Sequence, residues 1–442
     1  MNGAGGLSRM GPSSGLPIPQ AVRHRTDNLH DTMSLPSFMG CRVLVCWTLM
    51  EHHDICLFAE TNFRNQRKRF GIRRKDRRHH VYILGKTGMG KSTLLEHLIS
   101  ADLHAGAGLA VLDPHGDLVK RVRECVPEHR KDEVIYFDPS DERYALPFNV
   151  LQDSYTQRYL IASGVLGAFK KVWGDSWGPR MEHIFRHALL GLLALPHATL
   201  LDVPRILMDK KFRERALVYI DDAQIRSFFK DEFEHYSAYF RQEAISPILN
   251  KVGHFLANPL LRKVIGHREN ALRFREIMDT GKVVLANLLK GALGEDSSSL
   301  LGALILSQIE RAALSRADLP EGDRRDFYLF VDEFSNFATT SFVGMLSEAR
   351  KYGVHLTLCN QLLAQVEETM RAAIFGNVGT LMTFQVGAED AEYLVKEFTP
   401  TLTEEDLVSL PQYHIYVKLM VEGTTSQPFS AVTLPPPEHI FR

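Results

Sequence analysis

The chain carries almost no net charge: 52 Lys and Arg stand against 53 Asp and Glu, a formal balance of -1 over 442 residues. A uniformly basic nucleic-acid-binding domain is thereby excluded, and only local clustering can signal such a partner. Cysteine is scarce. Its five residues form no CxxC pair and no Cys/His ligand spacing, so neither a disulfide framework nor zinc is indicated, and a reducing compartment fits. Long apolar runs are missing as well. The best one, FMGCRVLVCWTLM at 38–50, contains Arg42 and falls far short of the roughly 20 residues a bilayer demands. EHHD follows it directly, with no small-residue cleavage site, so a buried strand or helix is expected there rather than a signal peptide.

What is present is an ordinary globular composition, 45% hydrophobic and 24% charged, over a length that suggests about two to three domains. Residues 1–36 are rich in Gly, Ser and Pro and read as a tail without a folding role. Beyond them, short apolar runs alternate with helical patterns. HVYILG (80–85), GLAVLD (108–113), EVIYFD (133–138), KVVLANL (282–288), FYLFVDE (327–333), VHLTLCNQ (354–361) and GTLMTFQV (379–386) are strand candidates. Most lack polar alternation, as strands buried on both faces of a parallel sheet do.

Residues 151–265 hold amphipathic runs and no clear strand. They predict an all-α domain inserted into an α/β domain built from 56–150 and 266–442, with 1–55 as a tail. YHIYVKLMVEGTTSQPFSAVTL reads as a C-terminal antiparallel hairpin with a glycine turn. The expected fold is α/β, a P-loop NTPase with a mostly parallel sheet.

The chemistry starts at Gly85-Lys86-Thr87-Gly88-Met89-Gly90-Lys91-Ser92, a P-loop pattern directly after an apolar strand and before an amphipathic helix. Glycines let backbone N–H groups close around phosphate oxygens, and the helix N-terminus adds its positive end. Lys91 is expected at the β and γ phosphates, Ser92 at Mg²⁺ and Thr93 at the α-phosphate, which makes ATP and Mg²⁺ the expected cofactors. FYLFVDEF supplies the second half: Asp332 ends an apolar strand where Mg²⁺ must be held, and Glu333 is placed to polarise a water. Gln361 ends the next strand. It lies near the γ-phosphate provided that strand neighbours the P-loop strand.

Arg350, in SEARKYG, is either an arginine finger acting in trans in a ring or an exposed helix-terminal arginine. Asp113 either lines the nucleotide site or caps the turn after it, and the turn role is favoured. The basic run Arg64–Arg78 is either a phosphate-backbone contact or a solvated or inter-subunit face.

Taken together, FAETNFRNQRKRFGIRRKDRRHHVYILGKTGMGKSTLL, GLAVLDPHGDLV, YFDPSDERYALPFNVL, FVDEFSNF, ARKYG and NQLLAQV resemble conjugative coupling proteins. These are the TraG/TraD group of type IV secretion DNA-binding ATPases, in the HerA–FtsK superfamily. The resemblance spans about residues 56–434. It implies a RecA-like motor with an inserted all-α domain, assembled as a homo-hexamer around DNA held without sequence specificity. It also assigns Lys91 and Ser92 to phosphate and Mg²⁺, Asp332 to Mg²⁺, Glu333 as catalytic base, Gln361 as γ-phosphate sensor and Arg350 as trans-acting finger.

Two departures stand out. Membrane-anchored coupling proteins carry two N-terminal spans that this sequence does not show, so a cytoplasmic motor is expected, with peripheral attachment to the inner membrane as the alternative. Gln385 stands where similar sequences have Arg, so a contact made by that Arg is lost or replaced. The expected function is an ATP-driven DNA translocase of conjugative transfer, with a relaxase or secretion-channel proteins as further partners. The rivals are a HerA-like motor partnering a nuclease in DNA-end processing, a channel-assembly ATPase that does not bind DNA, and a nucleotide-gated recruitment module.

Overall fold

The computed structural model describes residues 54–62, 67–152 and 157–437. The run at 38–50 and all but the last residues of the expected tail lie outside the described residues. The described chain opens with β1 (Ile55–Thr61) and β2 (Arg69–Arg73). The seven apolar runs follow as β3 (Val81–Leu84), β4 (Gly108–Asp113), β5 (Val134–Phe137) and β6 (Val283–Asn287), then β7 (Phe327–Val331), β8 (Val354–Asn360) and β9 (Thr380–Thr383). The C-terminal stretch gives β10 (His414–Lys418), a small hairpin of β11 (Met420–Val421) and β12 (Thr424–Thr425), and β13 (Phe429–Thr433). Glu422 and Gly423 both have positive φ, 51° and 79°, the torsions a two-residue hairpin turn requires.

All but β11 and β12 join one sheet in the order β2-β1-β13-β10-β9-β3-β8-β7-β4-β6-β5. From β9 to β5 every pairing is parallel. From β10 to β2 every pairing is antiparallel. The sequence marks the change. β3, β4, β7 and β8 are buried at every residue, whereas β10 alternates buried with half-buried positions, the pattern of an antiparallel strand with one face more open than the other. Along β3 and β4, Tyr82, Leu84, Ala110 and Leu112 enter one core, while Val81, Ile83, Leu109 and Val111 enter the other.

Helix Lys91–His104 covers the second core with Leu94, Leu95, Leu98, Ile99 and Leu103, at roughly 1.5–3 kcal/mol for each side chain buried. Its first two residues, Lys91 and Ser92, close the P-loop, which is thereby anchored. Between β5 and β6 the described residues form helices and no strand, the longest being Arg158–Trp173, Pro179–Leu193 and Ala238–Ala257. Phe169, Phe185 and Phe255 of these helices share the first core with the sheet. No helix of the described residues is long and apolar enough to cross a membrane.

Most basic residues in the described part of the basic run are exposed, and one of its arginines turns inward. Five of its residues are the edge strand β2, where Phe70 and Ile72 share one side and Gly71 is pressed against β1 so closely that a Cβ would sit 2.0 Å from the Cys56 carbonyl oxygen. Arg77, only 1% exposed, donates from Nη1 to both carboxylate oxygens of Asp102 at 2.8 Å. Its guanidinium lies 4.5 Å from the centre of the Tyr328 ring. This arginine is an internal brace, while Arg67, Lys68, Lys75 and Arg78 remain exposed.

Candidate nucleotide site

Four adjacent strands, β4-β7-β8-β3, deliver the site residues to one sheet edge. Leu84 is in register with Asn360, and Val331 with Leu358, so the P-loop after β3, Gln361 after β8 and Asp332 after β7 emerge side by side. The condition placed on Gln361 is met: β8 pairs with the P-loop strand. The Gly85 N–H donates to the Asn360 carbonyl at 3.3 Å, and the Asp332 N–H to the Leu112 carbonyl at 3.0 Å.

The P-loop itself is a cradle of donors. Gly88 and Gly90 have φ of 78° and 116°, torsions that glycine takes without strain. Among the described residues, none of the backbone N–H groups of Thr87 through Ser92 donates within the chain. They converge at the N-terminus of helix Lys91–His104, an arrangement suited to an oligophosphate. The Lys91 ammonium, on a side chain that is largely buried, donates to the Gly85 carbonyl at 2.6 Å and the Lys86 carbonyl at 3.2 Å. These are bonds a phosphate can replace.

Burial, with Asp113 and Glu333 nearby, pushes the Asp332 carboxyl up to about 6, against the pull of Lys91. A buried acid destabilised in this way fits a cation. Glu333 follows in the left-handed region, φ 47° and ψ 54°, a strain of about 1–3 kcal/mol for a non-glycine residue. That turn aims its carboxylate back across the sheet edge, where Oε2 accepts the Gln361 N–H at 3.2 Å. Asp113 takes the turn role: Oδ1 accepts from the His115 N–H at 2.8 Å and Oδ2 from the Val119 N–H at 3.1 Å.

A family model for the type IV secretion-system coupling protein DNA-binding domain matches residues 70–409. The chain belongs to this family. Among solved structures, the plasmid coupling protein TrwB in complex with ADP and Mg²⁺ aligns at 16% identity and TM-score 0.60, covering 84% of this chain and 88% of that one. TrwB with a non-hydrolysable GTP analogue gives the same identity and coverage at TM-score 0.59. VirB4 of Thermoanaerobacter pseudethanolicus aligns at 15% identity and TM-score 0.56, covering 87% of this chain and 97% of that one. These likenesses establish the coupling-protein fold. No curated protein matches the sequence.

Within this coupling-protein fold, Arg350 is the one singled-out residue that one chain does not bring to the P-loop. It is exposed, precedes β8, and contacts His79 Nδ1 at 3.2 Å at the opposite sheet end. Gln385 replaces the expected arginine with a structural role: its carbonyl accepts the Lys86 N–H at 2.9 Å, and its amide donates to the Val408 carbonyl at 2.8 Å.

Three residues were missed by the sequence reading. Asn360 is fully buried beside the P-loop, and its Nδ2 has no partner among the described residues. Gln412 Nε2 donates to the Gly88 carbonyl at 2.7 Å, and the Tyr413 N–H donates to the Met89 carbonyl at 3.0 Å. LPQYHIYV shows a Pro turn before an apolar strand; nothing in it signals that the turn straps the P-loop.

Proposed function

We propose that this chain is an ATP-driven motor that moves DNA in type IV secretion or conjugative transfer, hydrolysing Mg-ATP at the subunit interfaces of a homo-hexameric ring. The observation that supports it most is the joined sheet edge, with Lys91, Asp332, Glu333 and Gln361 on three neighbouring strand ends and Glu333 hydrogen-bonded to Gln361. The family assignment, a DNA-binding domain by its description, supports DNA as the partner. That TrwB was solved with ATP and GTP analogues and with ADP and Mg²⁺ supports the choice of cofactors.

In this reading, Gly85 to Thr93 wrap the phosphates, and Lys91 leaves its loop carbonyls to meet the β and γ oxygens. Ser92 and Asp332 would hold Mg²⁺, which would supply positive charge to the phosphates. Glu333 orients a water and accepts its proton. Gln361 senses the γ-phosphate and passes its state to Glu333 through their shared hydrogen bond. Arg350 comes from the neighbouring subunit. The helices of 151–265 form the domain that meets cargo, and the motor works in the cytoplasm, in contact with a relaxase or channel proteins.

The deciding experiment is ATPase rate with and without DNA, read beside the native mass of the assembly. DNA-stimulated turnover by a hexamer supports the motor. An ATPase indifferent to DNA, with no salt-sensitive DNA binding by anisotropy, favours a channel-assembly ATPase instead.

A further inference from the structure

The P-loop lies between two different neighbours. On one side are β8 and β7, with Gln361, Glu333 and Asp332. On the other, the sheet continues through β9 to β10, and the residues just before β10 come back over the loop. A nucleoside triphosphate whose γ-phosphate faces Glu333 must therefore send its base toward the β10 side.

Tyr413 stands there. Its backbone is fixed from three directions: its N–H donates to the Met89 carbonyl, and its own carbonyl accepts from the Thr433 N–H at 2.9 Å and Thr433 Oγ1 at 3.2 Å. It is held at a φ of 66°, which an aromatic residue adopts only under constraint. The residue is nevertheless 45% exposed. Among the described residues no other aromatic or cationic side chain stacks on it. One edge rests on the P-loop: a Cβ on Gly90 would come within 2.8 Å of Tyr413 Cδ1 and 3.3 Å of Phe384 Cε1. Gly90 thus makes room for this ring as well as for the loop's own torsions.

A solvent-facing aromatic ring, locked by strained backbone against the phosphate loop on the side away from the γ-phosphate machinery, has the form of a stacking platform. We infer that Tyr413 binds the base of the bound nucleotide by stacking, an assignment that rests on the nucleotide reading of the P-loop. The ligand class is a purine nucleoside di- or triphosphate. Stacking uses the π-face of a base, so the affinity gained depends on the ring and not on base-edge hydrogen bonds.

The test is titration calorimetry of the full chain with ADP and, separately, with inorganic pyrophosphate, each with Mg²⁺. Tyr413→Gly removes the ring at a torsion glycine takes freely, so the strap keeps its backbone; Tyr413→Trp keeps a ring. Tyr413→Gly should weaken ADP by roughly 10- to 100-fold and leave pyrophosphate unchanged. Tyr413→Trp should hold ADP as the parent does and show emission quenched by ADP and not by pyrophosphate. An ADP affinity untouched in Tyr413→Gly overturns the inference, and so does an equal loss of both ligands, which would make the ring a prop for the loop. If the parent binds neither ligand, the nucleotide reading itself falls and takes the inference with it.

Discussion

The backbone N–H of Gln361 and the Oε2 of Glu333 meet at 3.2 Å, so the strand end that would sense the γ-phosphate is tied to the carboxylate that would activate water. The bond also explains how Glu333 stays in the left-handed region: its own side chain returns across the edge and fixes the turn.

Glu333→Gln keeps an acceptor for that N–H but no base. Turnover should fall by roughly 10²- to 10⁴-fold with ATP affinity unchanged, as steady-state ATPase and nucleotide titration would show. Undiminished turnover would remove Glu333 as the base.

Lys91→Ala should abolish nucleotide binding with little change in thermal stability, because Lys91 bonds only to two loop carbonyls. Arg350 is separated from Gln361 by the whole of β8, about 23 Å at the rise of a strand, so it can complete only a neighbour's site. Mixing Lys91→Ala with Arg350→Ala subunits should restore part of the hydrolysis that each lacks alone. No recovery at any mixing ratio would rule out the finger.

Asp102→Ala strands the Arg77 guanidinium in the core. Breaking a buried pair in this way costs about 3–5 kcal/mol, which urea denaturation measures directly. The double variant Arg77→Met with Asp102→Leu should recover most of the loss, since a well-packed apolar pair can replace a buried ion pair. A single variant as stable as the parent would contradict the brace described for Arg77.

Acid should weaken the fold through His80. Burial, with His355 beside it, lowers this imidazole from 6.5 to about 3, and its Nδ1 accepts the Leu356 N–H at 3.1 Å. As pH falls below 6.5 the unfolded chain takes up a proton that the folded chain refuses, so stability declines until about pH 3. Between pH 7 and pH 5 this one group accounts for about 2 kcal/mol. His80→Asn, which tolerates the positive φ of 64°, should lose correspondingly less over that interval. Equal losses in the two proteins would place the acid sensitivity elsewhere.

The parallel half of the sheet was legible because most of its strands are apolar runs without polar alternation, and the P-loop and the Asp332-Glu333 pair were legible because both follow such runs directly. β2 was not. RFGIR has two apolar residues within a basic stretch, and whether an arginine of that stretch faces water or, like Arg77, Asp102 depends on a helix some 25 residues on. Gln361 could be placed only conditionally, since strand order is a long-range property; the observed order supplies the missing condition. Tyr413 was hidden for a further reason. Its torsion is imposed by partners at Met89 and Thr433, more than 300 residues apart in the chain, and no local preference announces it.

β8 has a consequence of its own. All seven of its residues are buried, with Arg350 just before one end and Gln361 just after the other. In a ring, such a strand is a stiff rod with one tip in its own subunit's site and the other directed at the next. A shift at the Gln361 tip when phosphate leaves would be felt at the arginine tip without any rearrangement between, because a fully packed strand moves as a piece or not at all. Successive sites would then fire in sequence around the ring rather than independently, with the order of firing set by the direction in which β8 points.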